Sequence, residues 1–139
     1  RLSWMYSTNP FPGEKSHFFS RLREALEDPS VPLTWPVHDR RGLTDVEAVV
    51  RNLPQALELA GGVWNFGSEN ARSTYDTVKR VLEELGLEEA LQRLKPNTEA
   101  FALQPRDISM DLSRLNRAGI FFPTTAEGLL SALSEEVIL

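Results

Sequence analysis

Tyr75 and Lys79 stand in the spacing Y-x-x-x-K. On a helix that spacing sets an ammonium one turn from a phenol, lowering the phenol's pKa so that it can exchange a proton with a carbonyl. The same tyrosine falls on an apolar stripe with Val78, Val81, Leu82 and Leu85. The periodicity therefore reads Tyr75 as a packing residue and Lys79 as a surface charge. His17 and His38 have no ligand-spaced partner, so no metal site is expected. No serine lies in G-x-S-x-G and there is no cysteine, which removes the hydrolase elbow, thiolate chemistry and disulfides together. The 8 glycines are scattered. Gly61-Gly62 and Gly67 flank an extended segment instead of joining a strand to a helix, as a phosphate cradle requires. Glu83-Glu84 and Glu88-Glu89 read as solvated faces at a helix end. Chemistry alone yields no complete active site.

The elements that would position these groups alternate between strand and helix. Leu2, Trp4 and Tyr6 alternate with polar and flexible residues, the period of a half-buried strand, and Asn9–Gly13 supplies turn chemistry. Phe18, Phe19, Leu22, Ala25 and Leu26 share a helical face that ends before Pro29. Residues 31–37 read as a short edge or irregular strand carrying two prolines. Thr44 and Glu47 read as a capping box for a helix through Val46, Val49, Val50, Leu53 and Leu57, with a kink or break expected at Pro54. Residues 63–66 read as a short buried strand. Ser73 with Asp76 opens the next helix, and Gly86 closes it. A short helix over 88–93 follows, then one capped by Asp111 and closed at Gly119, and a last one capped by Thr124 and Glu127. The pattern predicts an α/β or α+β domain with few strands.

The 139 residues suit one domain, with 41% hydrophobic and 25% charged residues, an ordinary globular composition. The net charge of −5 argues against a phosphate-tracking surface, so no nucleic-acid partner is expected. No apolar run is long enough to span a bilayer and no signal peptide is visible; no membrane partner is expected, and a cytoplasmic location is.

Several segments in order resemble the C-terminal part of dTDP-4-dehydrorhamnose reductase and its sugar-nucleotide-modifying relatives, members of the extended short-chain dehydrogenase superfamily. Residues 1–7, RLSWMYS, resemble that family's R-x-S-W-x-Y-G strand. His17-Phe18 is similar to its N-F helix start. Residues 31–44 are similar to the stretch running from a short strand through D-Q-x-G-x-P-T. Residues 62–66, GVWNF, resemble G-x-Y-H-V, and residues 73–76, STYD, resemble S-W-Y-E. Pro105 to Asp111 with Arg114-Leu115 resembles R-P-x-x-S-x-L-D-x-x-K-L, and Gly119-Ile120 with Pro123 resembles G-I-x-x-P. Departures fall at His17, where the family has Asn, at His38–Thr44, and at Gln104.

The resemblance implies an α/β fold: the C-terminal part of an extended short-chain dehydrogenase, comprising the last strands of a Rossmann-type sheet and a helical substrate-binding lobe. It implies that residues 1–139 are the substrate-binding region, with the N-terminal cofactor domain, its glycines and the catalytic tyrosine and lysine lying upstream. No catalytic residue and no cofactor site is then expected in this chain, and NAD(P)H is implied for the intact parent. The implied ligand is a nucleotide-diphosphate sugar, with Trp4, Tyr6, His17, Arg40 and Arg106 as its contacts and Arg41 as a further cation near a diphosphate. An indole suits a ligand-facing and a core position equally, so both readings of Trp4 stand. The implied activity is that of an NAD(P)H-dependent ketoreductase, inactive in this part alone. The alternative is a non-catalytic nucleotide-sugar-binding or regulatory protein on the same fold, resembling the regulatory subunits of methionine adenosyltransferase. The unpaired edge and apolar face expected at residues 1–6 lead to a further expectation, a homodimer or domain-swapped assembly.

Overall fold

Short parallel strand pairs joined by helices build the chain. In this computed structural model the described residues are 1–9, 12–13 and 17–137. Strand β1 (Trp4–Tyr6) runs parallel to β4 (Leu43–Asp45), and Leu2 bridges Phe66 in the same sense. Strand β2 (Thr34–Pro36) pairs with β5 (Lys95–Asn97), and β3 (Asp39–Arg40) with β6 (Arg106–Asp107), both parallel. Parallel neighbours need long crossovers, and helices provide them: α1 (Phe18–Glu27), α2 (Val46–Ala56), α3 (Thr74–Leu85), α4 (Glu88–Arg93), α5 (Ser113–Arg117) and α6 (Thr125–Val137).

The main core joins α1, α3 and α6. Phe19, Leu22, Val78, Val81, Leu82, Leu129 and Leu133 are all but inaccessible there. A second cluster gathers Val49, Phe66, Leu112, Leu115 and Ile120. Several starts and stops are local and match the sequence pattern. The Ser73 hydroxyl accepts from Asp76 N at 3.1 Å, and Gly86 takes φ +68 at the end of α3. Thr124 N donates to the Glu127 carboxylate at 2.8 Å, and Glu127 N to the Thr124 hydroxyl at 3.3 Å, a reciprocal cap.

Other expectations are corrected. Asp45, not Thr44, caps α2: its Oδ1 accepts from Glu47 N at 2.9 Å. The Thr44 hydroxyl is buried and already engaged by Ser3 Oγ and by Ser68 N at 2.7 Å. Pro54 does not divide α2 into two short helices. It lies in the last turn, where its missing amide forfeits one bond, and the helix runs on to Ala56. The strand expected over 31–37 shrinks to Thr34–Pro36, since prolines supply no amide to a ladder. The one expected over 63–66 shrinks to the bridge at Phe66, whose N donates to Arg1 O at 2.8 Å. Gly62 and Gly67, at φ +131 and +154, turn the chain on either side. Leu112, not Asp111, precedes α5 as its cap residue, and Asp111 Oδ1 accepts from Ser113 N at 2.9 Å. In β1 the expected alternation fails: Leu2, Trp4 and Met5 are all exposed and only Tyr6 is buried. Tyr6 alone lies under the helices, stacked on Phe19 with centroids 5.3 Å apart.

Candidate functional site

The parallel register of β3 and β6 sets Asp39 opposite Arg106 and Arg40 opposite Asp107. Successive strand residues face opposite sides, so Asp39 turns inward, 1% exposed, while Arg40 turns to solvent. A buried carboxylate must be paired, and three groups converge on this one. Arg106 Nε donates to Asp39 Oδ1 at 2.8 Å. The Thr74 hydroxyl, at the first turn of α3, donates to Oδ2 at 3.3 Å. Arg41 Nε stands 3.5 Å from Oδ2, an ion pair without hydrogen-bond geometry.

Each guanidinium is also faced by an aromatic ring. Arg41 Cζ lies 4.0 Å from the Trp4 ring centroid and Arg106 Cζ lies 4.2 Å from that of Phe101. A third pair follows nearby, with Arg21 Cζ 5.5 Å from the Trp35 centroid. Two cations on one carboxylate leave the cluster net positive, although the whole chain carries −5. Burial pulls the Arg41 pKa below its usual value, partly offset by Asp39, while Arg106 and Arg21 repel it. The hydrogen bond to Asp39 raises that of Arg106. Arg41 Nε, His17 Nε2, Trp35 Nε1, the Tyr6 hydroxyl and Arg93 Nε are buried with no hydrogen-bond partner. Unsatisfied buried polar atoms carry a cost that a ligand or water removes. A hollow of about 260 Å³ opens over His38, Asp39, Arg40, Ser73 and Arg106. A larger one, about 600 Å³, lies elsewhere, between the end of α1 and the start of α4.

Among the residues expected from the sequence, Trp4 and Arg106 meet through Asp39 and Arg41. Arg40 stands beside them on the outer face, 3.7 Å from Asp107 Oδ2. His17 caps α1: its Nδ1 accepts from Ser20 N at 3.4 Å, and Ser20 Oγ accepts from His17 N at 3.0 Å. Tyr6 is placed in the core instead of on an open face, because β1 dips under α1 there; its hydroxyl lies against Gly128 of α6. Tyr75 packs on the main core and Lys79 is exposed, as the stripe predicts. Asp39 and Phe101 escape sequence reasoning. Asp39 beside two arginines hints at a brace, but nothing in the sequence around Phe101 marks it.

No protein-family model matches the chain, and no curated protein matches it. Solved structures do match. The NAD-dependent NDP-hexosamine 5,6-dehydratase TunA, involved in tunicamycin biosynthesis, superposes with TM-score 0.59 at 22% identity, covering 99% of this chain and 45% of its own. UDP-N-acetylglucosamine 4-epimerase from Bacillus cereus gives 0.59 at 15% identity, covering 95% and 45%. MoeE5, solved with UDP-glucuronic acid and NAD, gives 0.56 at 20% identity, covering 98% and 46%. This chain has the fold of the C-terminal part of an extended short-chain dehydrogenase. It spans less than half the length of the structures it matches. A dinucleotide does not fit the glycines of this part of the fold. Gly61 and Gly62 face open space, and Gly67 is filled by Ser3 and Thr44 instead of opening on a helix N-terminus. No helix among the described residues is long and apolar enough to cross a membrane.

Proposed function

We propose that residues 1–139 form the nucleotide-diphosphate-sugar-binding part of an NAD(P)H-dependent oxidoreductase resembling dTDP-4-dehydrorhamnose reductase, without activity on their own. The observation that carries this reading is the Arg41–Asp39–Arg106 cluster. Asp39 takes the Nε edge of Arg106 and leaves the two Nη groups, whose N–H fork suits phosphate oxygens. Arg41 adds a second cation whose Nε is buried without a hydrogen bond. Trp4, 55% exposed, offers an indole face to a sugar beside the diphosphate. The residues here bind and orient the substrate; in a longer parent, hydride from a reduced nicotinamide and a proton from a tyrosine would both have to come from outside this part. The exposed Leu2, Trp4 and Met5, on a strand whose ladder partner among the described residues is β4, support pairing of that strand with another polypeptide, a second copy included.

The test is calorimetric titration of the chain with UDP, dTDP and UDP-glucuronic acid. Saturable binding that weakens as salt rises supports the reading, as does the absence of NAD(P)H oxidation when a 4-keto nucleotide sugar is added. No binding of any of the three overturns it.

A further inference from the structure

We infer that Phe101 is a positioning residue for Arg106, its ring laid on the guanidinium face so that the free N–H fork is held toward the ligand. This rests on reading the Asp39 cluster as the diphosphate site. Among the described residues Phe101 is the one non-glycine residue with positive φ, at +60. A bulky L-residue is disfavoured in that left-handed region, and such strain persists only where the surroundings impose it. Here they do. The Asn97 side chain accepts from Glu99 N at 3.1 Å and Ala100 N at 3.0 Å, and Ala102 N donates to Glu99 O at 3.1 Å. The loop so tied turns Phe101 onto Arg106, with 4.2 Å from Cζ to the ring centroid.

Burial does not account for the residue. The residue is 39% exposed, and it belongs to neither hydrophobic cluster. Glycine would make the same turn without strain, so folding alone gives no reason for a phenylalanine. The contact with Arg106 gives one. Asp39 fixes the Nε edge and Phe101 covers a face, so the guanidinium loses little further freedom when it binds an anion. The arrangement trades fold stability for a preset cation, as strained functional sites do.

The experiment measures thermal midpoint and UDP affinity for the whole chain carrying Phe101→Gly, Phe101→Leu or Phe101→Tyr. Phe101→Gly is expected to leave the midpoint unchanged or raise it while weakening UDP binding roughly three- to tenfold, the reach of one cation–π contact. Phe101→Leu keeps the bulk and the strain but loses the π face, and is expected to weaken binding to the same degree. Phe101→Tyr is expected to restore wild-type affinity. Wild-type affinity in the glycine or leucine variant overturns the inference while leaving the diphosphate site standing. A glycine variant that melts lower or fails to fold also overturns it, since the residue is then structural. A wild-type chain that binds no UDP overturns the reading of the site, and the inference falls with it.

Discussion

Two hollows in this molecule differ in a way that volume alone would misjudge. The larger, about 600 Å³, has Leu26, Leu87, Ala90 and Leu133 in its lining. Of its two arginines, Arg23 lies over the Phe19 ring, 5.9 Å from the centroid, and Arg93 spends Nη2 on Ala25 O at 2.9 Å, closing a carbonyl in the last turn of α1. The smaller, about 260 Å³, is lined by Arg106 and by the buried Asp39 carboxylate, which also pairs with Arg41 behind that lining; each of the two arginines is faced by a partly open aromatic ring. In the first hollow both cations serve the fold. In the second the fold serves the cations. Recognition of an anion depends on donors left free and held in place, and only the second hollow has them in this form.

The largest effect expected follows from Asp39→Ala. It leaves Arg106 and Arg41 without their counter-charge, while the Thr74 hydroxyl keeps the Asp39 carbonyl as its acceptor at 3.2 Å, so a loss of about 3–5 kcal/mol in urea unfolding is expected, with UDP binding abolished. Unchanged stability would place Asp39 outside the role given it here. Arg106→Ala is expected to weaken UDP binding roughly ten- to a hundredfold, the worth of a charge-assisted hydrogen bond to a desolvated phosphate. Arg93→Ala, in the other hollow, is expected to leave UDP affinity unchanged and to cost about 1 kcal/mol of stability through its lost carbonyl contact. A reversal of these two results in calorimetry would exchange the roles of the hollows. The smallest effect is shared by Asp107, in the lining of the second hollow, and Asp28, between Glu27 and Pro29 that line the first. The side-chain hydrogen bond from Ser30 and that from Ser109 hold the Asp28 and Asp107 carboxyls below their usual 3.8. A pKa lowered by folding contributes stability above the unfolded value and loses it as pH falls through the folded one. Acid titration should therefore erode stability below about pH 4, and Asp28→Asn and Asp107→Asn should each flatten that slope in a melting series.

What the sequence made legible was local. Ser73, Gly86 and the Thr124–Glu127 pair mark helix ends because a cap is settled within three or four residues. The resemblance carried along residues 1–7 and 105–111 points to the fold that the solved structures share. The Thr44 cap went astray because its hydroxyl is claimed by Ser3 and Ser68, partners that adjacent residues do not reveal. Period-2 alternation in β1 tells which side chains share a face but not whether any layer covers that face, and Leu2 and Trp4 are left open. Half of the site was legible for the same reason. Trp4, Arg40 and Arg106 stand in recognisable segments. Asp39 joins Arg106 across 67 positions, through a two-residue strand pair whose register has no local signature. Phe101 depends on a backbone angle that its residue type argues against.

The three tryptophans allow the most direct test, because each indole N–H reports a different place. Trp4 faces Arg41, Trp35 lies beside Arg21 with its Nε1 buried and unpaired, and Trp64 packs with the second cluster, its Nε1 donating to Ala60 O at 2.9 Å. In a nitrogen–proton correlation spectrum titrated with UDP, the Trp4 and Trp35 indole signals should shift along one saturable curve while that of Trp64 stays in place. Three stationary signals, or a shift confined to Trp64, would contradict a nucleotide-diphosphate site on the Asp39 cluster.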